Sequence, residues 1–457
     1  MSGTIEAELN IPTVSVVGPS FVHSAKAGAE SVGTPNLRLA VYPGVFETDA
    51  KDVILSKVEK YLYPDIIKLL TTAVKAAEKQ TAETKPDTII FSGTYEEVND
   101  YFALKKLSDG LPIVPPTVEK VREFLEYTDY APTKVIGTMP NENREVTVWK
   151  VAVNGVMAGC KPQYMPVLIA IAEALSDPHF GKCDSTTGPT AMVTINGPIV
   201  HDLDFNSSIG VLLPGNQANS TVGRYIWLML RNIGRLIHGN ASHTFGRNFW
   251  MAMAENEAEN PWQPLSVDRG FKKGDNVVTV VGVTSDSFHL KVMGRTAEQM
   301  LDNLSASLKL ILLSGDLQAC IDKSRFREEL SYQLVLAPPI AQALANGGYS
   351  KSDVQKYLFE HTKVTMKEFD EVLVLQTGGR KACDFFKSGV AQPQFCQTDP
   401  QALVPLYFKP DELLIIVSGD IERNRFFVTT QSGQGFATSK KIELPAKWAE
   451  LIKANAK

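Results

Sequence analysis

Apolar residues recur along this chain with two alternating periods. Pro12 to Gly18 (PTVSVVG) and Leu37 to Tyr42 (LRLAVY) are short apolar runs of the kind that buried strands use. Between them Ser20 to Val32 reads as a helix, with Ser20 as N-cap and Gly33 as its stop. From Asp49 to Glu78, Ile54, Val58, Tyr61, Ile66, Leu69 and Leu70 repeat at helical spacing, and Pro64 predicts a break. Strand, helix, strand and helix in that order imply parallel pairing. Two strands do not make a stable sheet alone. Residues 1–80 therefore read as half of a parallel-sheet α/β domain, followed by a linker at 81–95.

A helix from Tyr95 leads into SDGLPIVPPT, and Thr117 caps a second helix at Val118 to Tyr127. Glu145 to Val153 alternates as a strand, with a helix running through Ala158 as the other reading. Pro166 belongs in a first helical turn, so the next helix starts near Tyr164 and Cys160 falls in the loop before it. Ala191 to Asn196 and Ile209 to Leu213 read as strands. Gly215 to Thr221 then feeds the clearest helix, where Val222, Ile226, Met229, Ile233 and Leu236 share one face. Ser220 or Asn219 is its expected cap, and Gly239 its stop. Val277 to Val283 is a strand, followed by helical stretches at Thr296 to Ser305 and Leu308 to Leu313. The last third repeats the α/β pattern, with helices at Ile340 to Asn346 and Lys351 to His361, a strand at Leu413 to Ser418 and a terminal helix at Ala446 to Ala454. The expectation is an α/β protein with an incomplete N-terminal half-domain, a central α/β domain at 96–325 and a C-terminal α/β domain at 326–457. No low-complexity region and no solenoid period is visible.

Composition narrows the class. Of 457 residues, 44% are hydrophobic and 21% charged, and the net charge is -5, with no Lys/Arg tract to track a nucleic acid or an anionic membrane. The longest apolar runs, Val167 to Ala172 and Leu308 to Leu313, fall well short of the roughly 20 residues that span a bilayer. Five cysteines stand far apart with no C-x-x-C pair, so free thiols in a reducing cytosol are expected, and no basic-then-apolar leader opens the chain.

Cys160 is the first candidate for chemistry. A helix N-terminus behind it and Lys161 beside it would stabilise a thiolate. The bland alternative is a small buried hydrophobe in a tight turn. Cys183, near His179, is either its partner or a bystander. Thr187 and Gly188, with Asn196 and Gly197 across one strand, form turns whose N–H groups suit an anion, though turns are commonly built this way. Asn219 and Ser220 at a helix start, with Arg224 one turn in, suit a carboxylate or phosphate. Neither a Walker loop nor G-x-G-x-x-G occurs. His201, Asp202, Asp204, His238 and His243 make a metal set only if the fold joins them, and otherwise are solvated side chains. His243 and Glu255 are candidate acid/base groups, with a surface loop as the ordinary reading of Glu255 to Trp262. The cofactor requirement stays open between none and a divalent metal.

Several stretches taken together, IPTVSVVGPSF, SDGLPIVPPT, VNGVMAGCKPQYMPV, TTGPT with NGP, GNQANSTVGR and AENEAENPWQP, resemble long members of the UGSC-like (seleno)protein family. The resemblance implies a racemase- or flavodoxin-like α/β domain followed by a larger α/β region. It also implies a selenocysteine- or cysteine-Gly-Ser-Cys loop in the first domain. No Cys-Gly-Ser-Cys stretch occurs here, and residues 1–80 resemble the C-terminal half of that domain. The expectation that follows is a small subunit supplying the missing half-domain and its loop in trans, with a homodimer as the alternative. The leading functional reading is the large subunit of a cytoplasmic, thiol- or selenol-dependent enzyme acting on a small, anionic molecule, an oxidoreductase or lyase. A metal-dependent hydrolase, hydratase or lyase and a non-catalytic scaffold or binding subunit are the rivals.

Overall fold

The computed structural model describes residues 2–9, 11–31, 34, 36–46, 48–72, 85–140, 144–181, 190–237, 251–287, 290–322, 330–431 and 433–455. Near the N-terminus β1 (Val14–Val17) and β2 (Arg38–Val41) pair in parallel, with Val14 opposite Arg38. The helix Val22–Ser31 joins them, as the order of the apolar runs implies. Helical turns then continue from Lys51 to Thr71. Pro64 does not end them. Its ring clashes with the carbonyl four residues back and it lacks an N–H, and the helix widens into a π turn at Val58–Leu62 immediately before it. A helix at Ser2–Leu9, which the apolar pattern does not announce, is tied on by Glu6, 2.7 Å from Arg38. The hydrophobic cluster of this unit has Ala40, Tyr42 and Leu62 as its buried members among the described residues.

A hairpin of β3 (Val135–Met139) and β4 (Arg144–Thr147) opens the main body. The chain then turns helical at Val148–Ala158, so the stretch Glu145 to Val153 divides: its first residues belong to β4, and the helical reading prevails from Val148. Thr147 caps the helix through Lys150 N–H, and Gly159 closes it at φ 83°. The next helix runs Met165–Leu175 with Pro166 in its first turn.

Beyond it lie β5 (Thr190–Asn196), β6 (Met251–Ala254), β7 (Val277–Val283), the short β8 (Ser285–Asp286) and β9 (Leu290–Lys291), and β10 (Tyr332–Leu336). A small antiparallel pair, β11 (Lys363–Thr365) with β12 (Leu403–Pro405), precedes β13 (Leu413–Val417), β14 (Arg425–Thr430) and β15 (Thr438–Lys441). One sheet has the order β15-β7-β5-β6, the other β13-β10-β14-β8, with β9 also on β14. The expected strand at 209–213 is a turn, because Asn219 takes the carbonyl of Val211 and Gly210 sits at φ 70°.

The two sheets stack face to face. On β5, Ala191, Val193 and Ile195 join the helices Val148–Ala158, Met165–Leu175 and Gln217–Asn232 in one core. Met192, pointing the other way, meets Met253, Val281, Val335, Ile416 and Phe427 between the sheets. On β10, Leu334 and Leu336 pack with the helices Ala297–Leu313, Pro338–Asn346 and Lys351–His361. The result is four layers, helix, sheet, sheet and helix. Strands covered on both faces read as unbroken apolar runs, which is why β5, β7 and β13 are legible as strands but carry no alternation.

The sheets are two copies of one topology. In each, a central strand (β5 or β10) has a parallel neighbour (β6 or β13) on one side and an antiparallel neighbour (β7 or β14) on the other. Contacts between them are reciprocal. Met192 and Gln333 occupy the same register in β5 and β10, and Gln333 Nε2 lies 3.6 Å from Met192 Sδ. Val417 N–H donates to Glu255, while Ser418 Oγ donates to the carbonyl of Ala254, and these pairs also correspond. The chain therefore contains a duplication about a pseudo-twofold axis. TAMVTINGPIVHDL (190–203) and SYQLVLAPPIAQAL (331–344) share little beyond Pro, Ile and Leu in matching places, too little for a visible repeat.

The copies also exchange their outer strands. β7 passes through Thr284, whose N–H bonds Thr430, into β8 on the second sheet. β14 continues into β15 on the first. Sequence alone puts a boundary at 325 and 326, but the helix Ala297–Leu313 packs with the second sheet and the terminal helix Trp448–Asn455 with the first. No helix among the described residues is long and apolar enough to cross a membrane. Cys383 and Cys396 are joined as a disulfide, because the helix Ala382–Lys387 and the turn Pro393–Phe395 bring their Cα atoms to 4.6 Å. The expected full set of free thiols is corrected accordingly.

Candidate functional site

Cys160 lies in the connection between Gly159 and Pro162, where the sequence predicts it. Its surroundings are not those of an activated thiol. It is buried, and burial pushes the thiol up to about 12, with Thr221 and the charge of Arg224 pulling back only in part. The C-terminal end of the helix Val148–Ala158 is immediately behind it, and that end of the dipole disfavours a thiolate. The bland reading describes this cysteine: a small buried hydrophobe in a tight turn.

The proposed anion cradle is also already filled. Asn216, rather than Asn219 or Ser220, caps the helix Gln217–Asn232, accepting from the N–H of Asn219 at 3.0 Å. Asn219 is buried, and its side chain accepts from Asn206 N–H and donates to the carbonyls of Asn206, Val211 and Ala252. Ser220 Oγ accepts from Gly215 N–H at 3.5 Å. Arg224 makes a two-pronged bond to Asp109, both contacts at 2.9 Å, and donates to the carbonyl of Pro112. It pins the Ser108 to Pro112 turn to the helix, across 115 residues of sequence.

Glu255 follows β6 and is 1% exposed. Four donors reach its carboxylate: Asn196 Nδ2 at 2.7 Å, Asn260 Nδ2 at 2.8 Å, Leu265 N–H at 2.8 Å and Val417 N–H at 3.4 Å. Burial pushes this carboxyl up, and Lys351 and the donors pull it back. Lys351 in turn bonds Asp268 at 2.6 Å. Asn196 also donates to Glu257, which accepts from Gly197 N–H at 2.8 Å. Gly197 has φ 97°, and a Cβ there would lie 2.5 Å from the carbonyl of Asp275, so only glycine fits. A carboxylate has about four lone-pair sites, and here all four are used. Glu255 thus fastens β5, β6 and β13 together, and it is not the surface-loop residue that its neighbours suggest.

His201 and Asp202 stand exposed on the short helix Ile199–Asp202, and Asp202 accepts from Trp448 Nε1 at 3.2 Å. Asp204 is exposed nearby at φ 57°. Among the described residues no three His, Cys, Asp or Glu side chains converge as a metal-ion site would need. Cys183, Thr187, Gly188, His238 and His243 lie outside the described residues.

An open polar cleft lies elsewhere. About 190 Å³ in volume, it is lined by His179, Arg269, Leu330, Ser331, Lys409, Asp411, Glu412, Leu414 and Ala437. It sits at the starts of β10, β13 and β15, where the two copies meet. Glu412 is 2% exposed and accepts from Leu330 N–H at 3.1 Å and Phe408 N–H at 2.8 Å. Burial pushes its carboxyl up to about 7, against those two N–H groups and Lys409. The one sequence signal for it is an acid abutting an entirely apolar run, Glu412 before LLIIV. Arg269, Lys409 and His179 give no local sign, since they come from three distant segments.

No protein-family model and no curated protein sequence matches this chain.

Proposed function

We propose that this chain is the large subunit of a small-molecule enzyme of redox or carbon–heteroatom bond chemistry, an oxidoreductase or lyase whose reactive thiol or selenol comes from a second polypeptide. The observation that carries this reading is the two-stranded sheet β1–β2. Among the described residues it pairs with no third strand, and Val16, Val41, Phe21, Val45, Phe46, Ile67 and Leu70 around it are exposed. An unpaired parallel edge and an apolar surface of that kind invite added strands. A partner carrying complementary strands of a racemase- or flavodoxin-like sheet supplies them, as the resemblance to UGSC-like proteins suggests. The closed state of Cys160 supports it too, since this thiol is not poised to react. The metal-dependent reading gains no converging side chains among the described residues. The binding-subunit reading is favoured by the same Cys160 environment, and the two differ in whether this chain touches the substrate.

Native mass spectrometry of the protein purified from its own cells tests the proposal. The expected species pairs this chain with a smaller polypeptide, and hydrogen exchange at residues 14–17 and 38–41 is slower in it than in the chain alone. Recovery of this chain by itself, with those strands exchanging equally fast, would remove the two-chain reading.

A further inference from the structure

We propose that the cleft at the seam of the two copies binds a small zwitterionic amino acid, its carboxylate between Arg269 and Lys409 and its ammonium against Glu412 and Asp411. The inference concerns this chain alone and stands whether or not a second polypeptide docks.

Charge sign comes first. Within about 190 Å³ the cleft gathers the cations Arg269 and Lys409, with His179, and the acids Asp411 and Glu412. A simple anion would face two carboxyl groups, and a simple cation would face two cations. A molecule with both signs meets opposite charge at each end. Size is the second point. The volume far exceeds the roughly 10–15 Å³ one water needs, yet falls below the ≈ 300–1,000 Å³ of sites for drug-sized ligands. An amino acid is of the size between.

The polar groups are also arranged to give. Glu412 receives Leu330 N–H on one oxygen and Phe408 N–H on the other, and Lys409 N–H also reaches it, so about one of its four acceptor sites is unused. An ammonium has three N–H donors to offer there. Lys409 and Asp411 contact each other at 3.3 Å, but both side chains are largely exposed, and such a pair contributes little and exchanges readily for ligand contacts. Arg269 is held at the rim by its bonds to the carbonyl of Ala437 and to Ser439 Oγ, which set the guanidinium's place in advance. Leu330, Leu414 and Ala437 supply a small apolar wall for an aliphatic side chain.

The test uses the full chain and a panel of the common amino acids, with sodium acetate and methylammonium chloride as half-molecule probes. Thermal shift and calorimetric titration are the readouts. The expected result is saturable binding of at least one amino acid, tenfold or more tighter than either half-molecule. Arg269→Met and Lys409→Met should each weaken it at least tenfold while circular dichroism stays unchanged. Because Lys409 is largely exposed, its variant keeps the test sound even where Glu412→Gln impairs folding. Absence of binding across the panel, acetate binding as tightly as the best amino acid, or unchanged binding by both cation variants would each overturn the proposal.

Discussion

Glu255 sits at the C-terminal ends of β6 and β13, Glu412 at the N-terminal ends of β10 and β13, and both carboxyl groups are almost fully buried. Their surroundings differ in two respects. Glu255 takes four donors, two of them side-chain amides. Glu412 takes three donors, all backbone N–H groups (Leu330, Phe408 and Lys409), and borders an open polar cleft. Burial alone therefore does not mark a site. A buried acid becomes available for chemistry when acceptor capacity is left over and there is volume beside it to use it. The same contrast separates the region that the sequence nominates, where Cys160, Asn219, Arg224 and Glu255 are all engaged, from the cleft, which no motif announces.

Substitutions should then cost stability in the first region and ligand in the second. The largest effect belongs to Glu255→Ala. It leaves the buried N–H groups of Leu265 and Val417 without this acceptor, at about 1–3 kcal/mol each, and takes one bond from each of Asn196 and Asn260, so a loss of roughly 3 kcal/mol or more is expected in urea denaturation. A loss under about 1 kcal/mol would erase the distinction between the two glutamates.

Next comes the pH dependence of Glu412. Its carboxyl rises from the ordinary 4.5 to about 7 in the fold. A raised folded value means that folding favours the protonated form, so the contribution is fully present below about pH 4.5 and is lost as pH climbs through about 7. The loss is on the order of 3 kcal/mol across that window. The groups facing Glu412 are Lys409 and Asp411 on its own segment, Arg269 and His179 across the cleft, and Tyr332, Tyr407 and Cys320 from the interior. Glu412→Gln cannot ionise, so its stability deficit relative to the natural chain should shrink between about pH 5 and about pH 8. A deficit that stays constant over that range would mean that Glu412 is ionised throughout.

Arg224→Met should cost about 2 kcal/mol, since it strips a partly buried Asp109 of a two-pronged partner and frees the Ser108 to Pro112 turn. Amino-acid binding in the cleft should not change. Altered binding with unaltered stability would instead return Arg224 to the role of a ligand group. The smallest effect concerns Cys160. With its thiol near 12, iodoacetamide at neutral pH should leave it untouched in the folded chain and modify it in urea, as peptide mass mapping reads. Fast modification in the folded chain would reopen its case as a nucleophile.

How much of this was legible in the sequence depends on range. β1, β2, β5, β7 and β13 and the helices Met165–Leu175 and Gln217–Asn232 follow from apolar runs, prolines and periodicity, which are local signals. The position of Cys160 ahead of a helix also follows, from Pro166. What it meets there does not. Arg224 reads as an anion binder because Asp109, 115 residues away, is invisible to a local pattern. Glu255 reads as a loop acid because Val417 N–H, 162 residues away, is invisible too.

The sequence by itself determined the α/β class, the strands β5, β7 and β13 of the core and the parallel start of the chain, because burial on one face or both writes a period into neighbouring residues. Tertiary structure alone decided the duplication, the exchanged outer strands and the difference between a spent carboxylate and an available one. Those depend on which hydrogen-bonding groups meet across the pseudo-twofold axis, and a one-dimensional pattern carries no record of how many lone pairs a distant segment will claim.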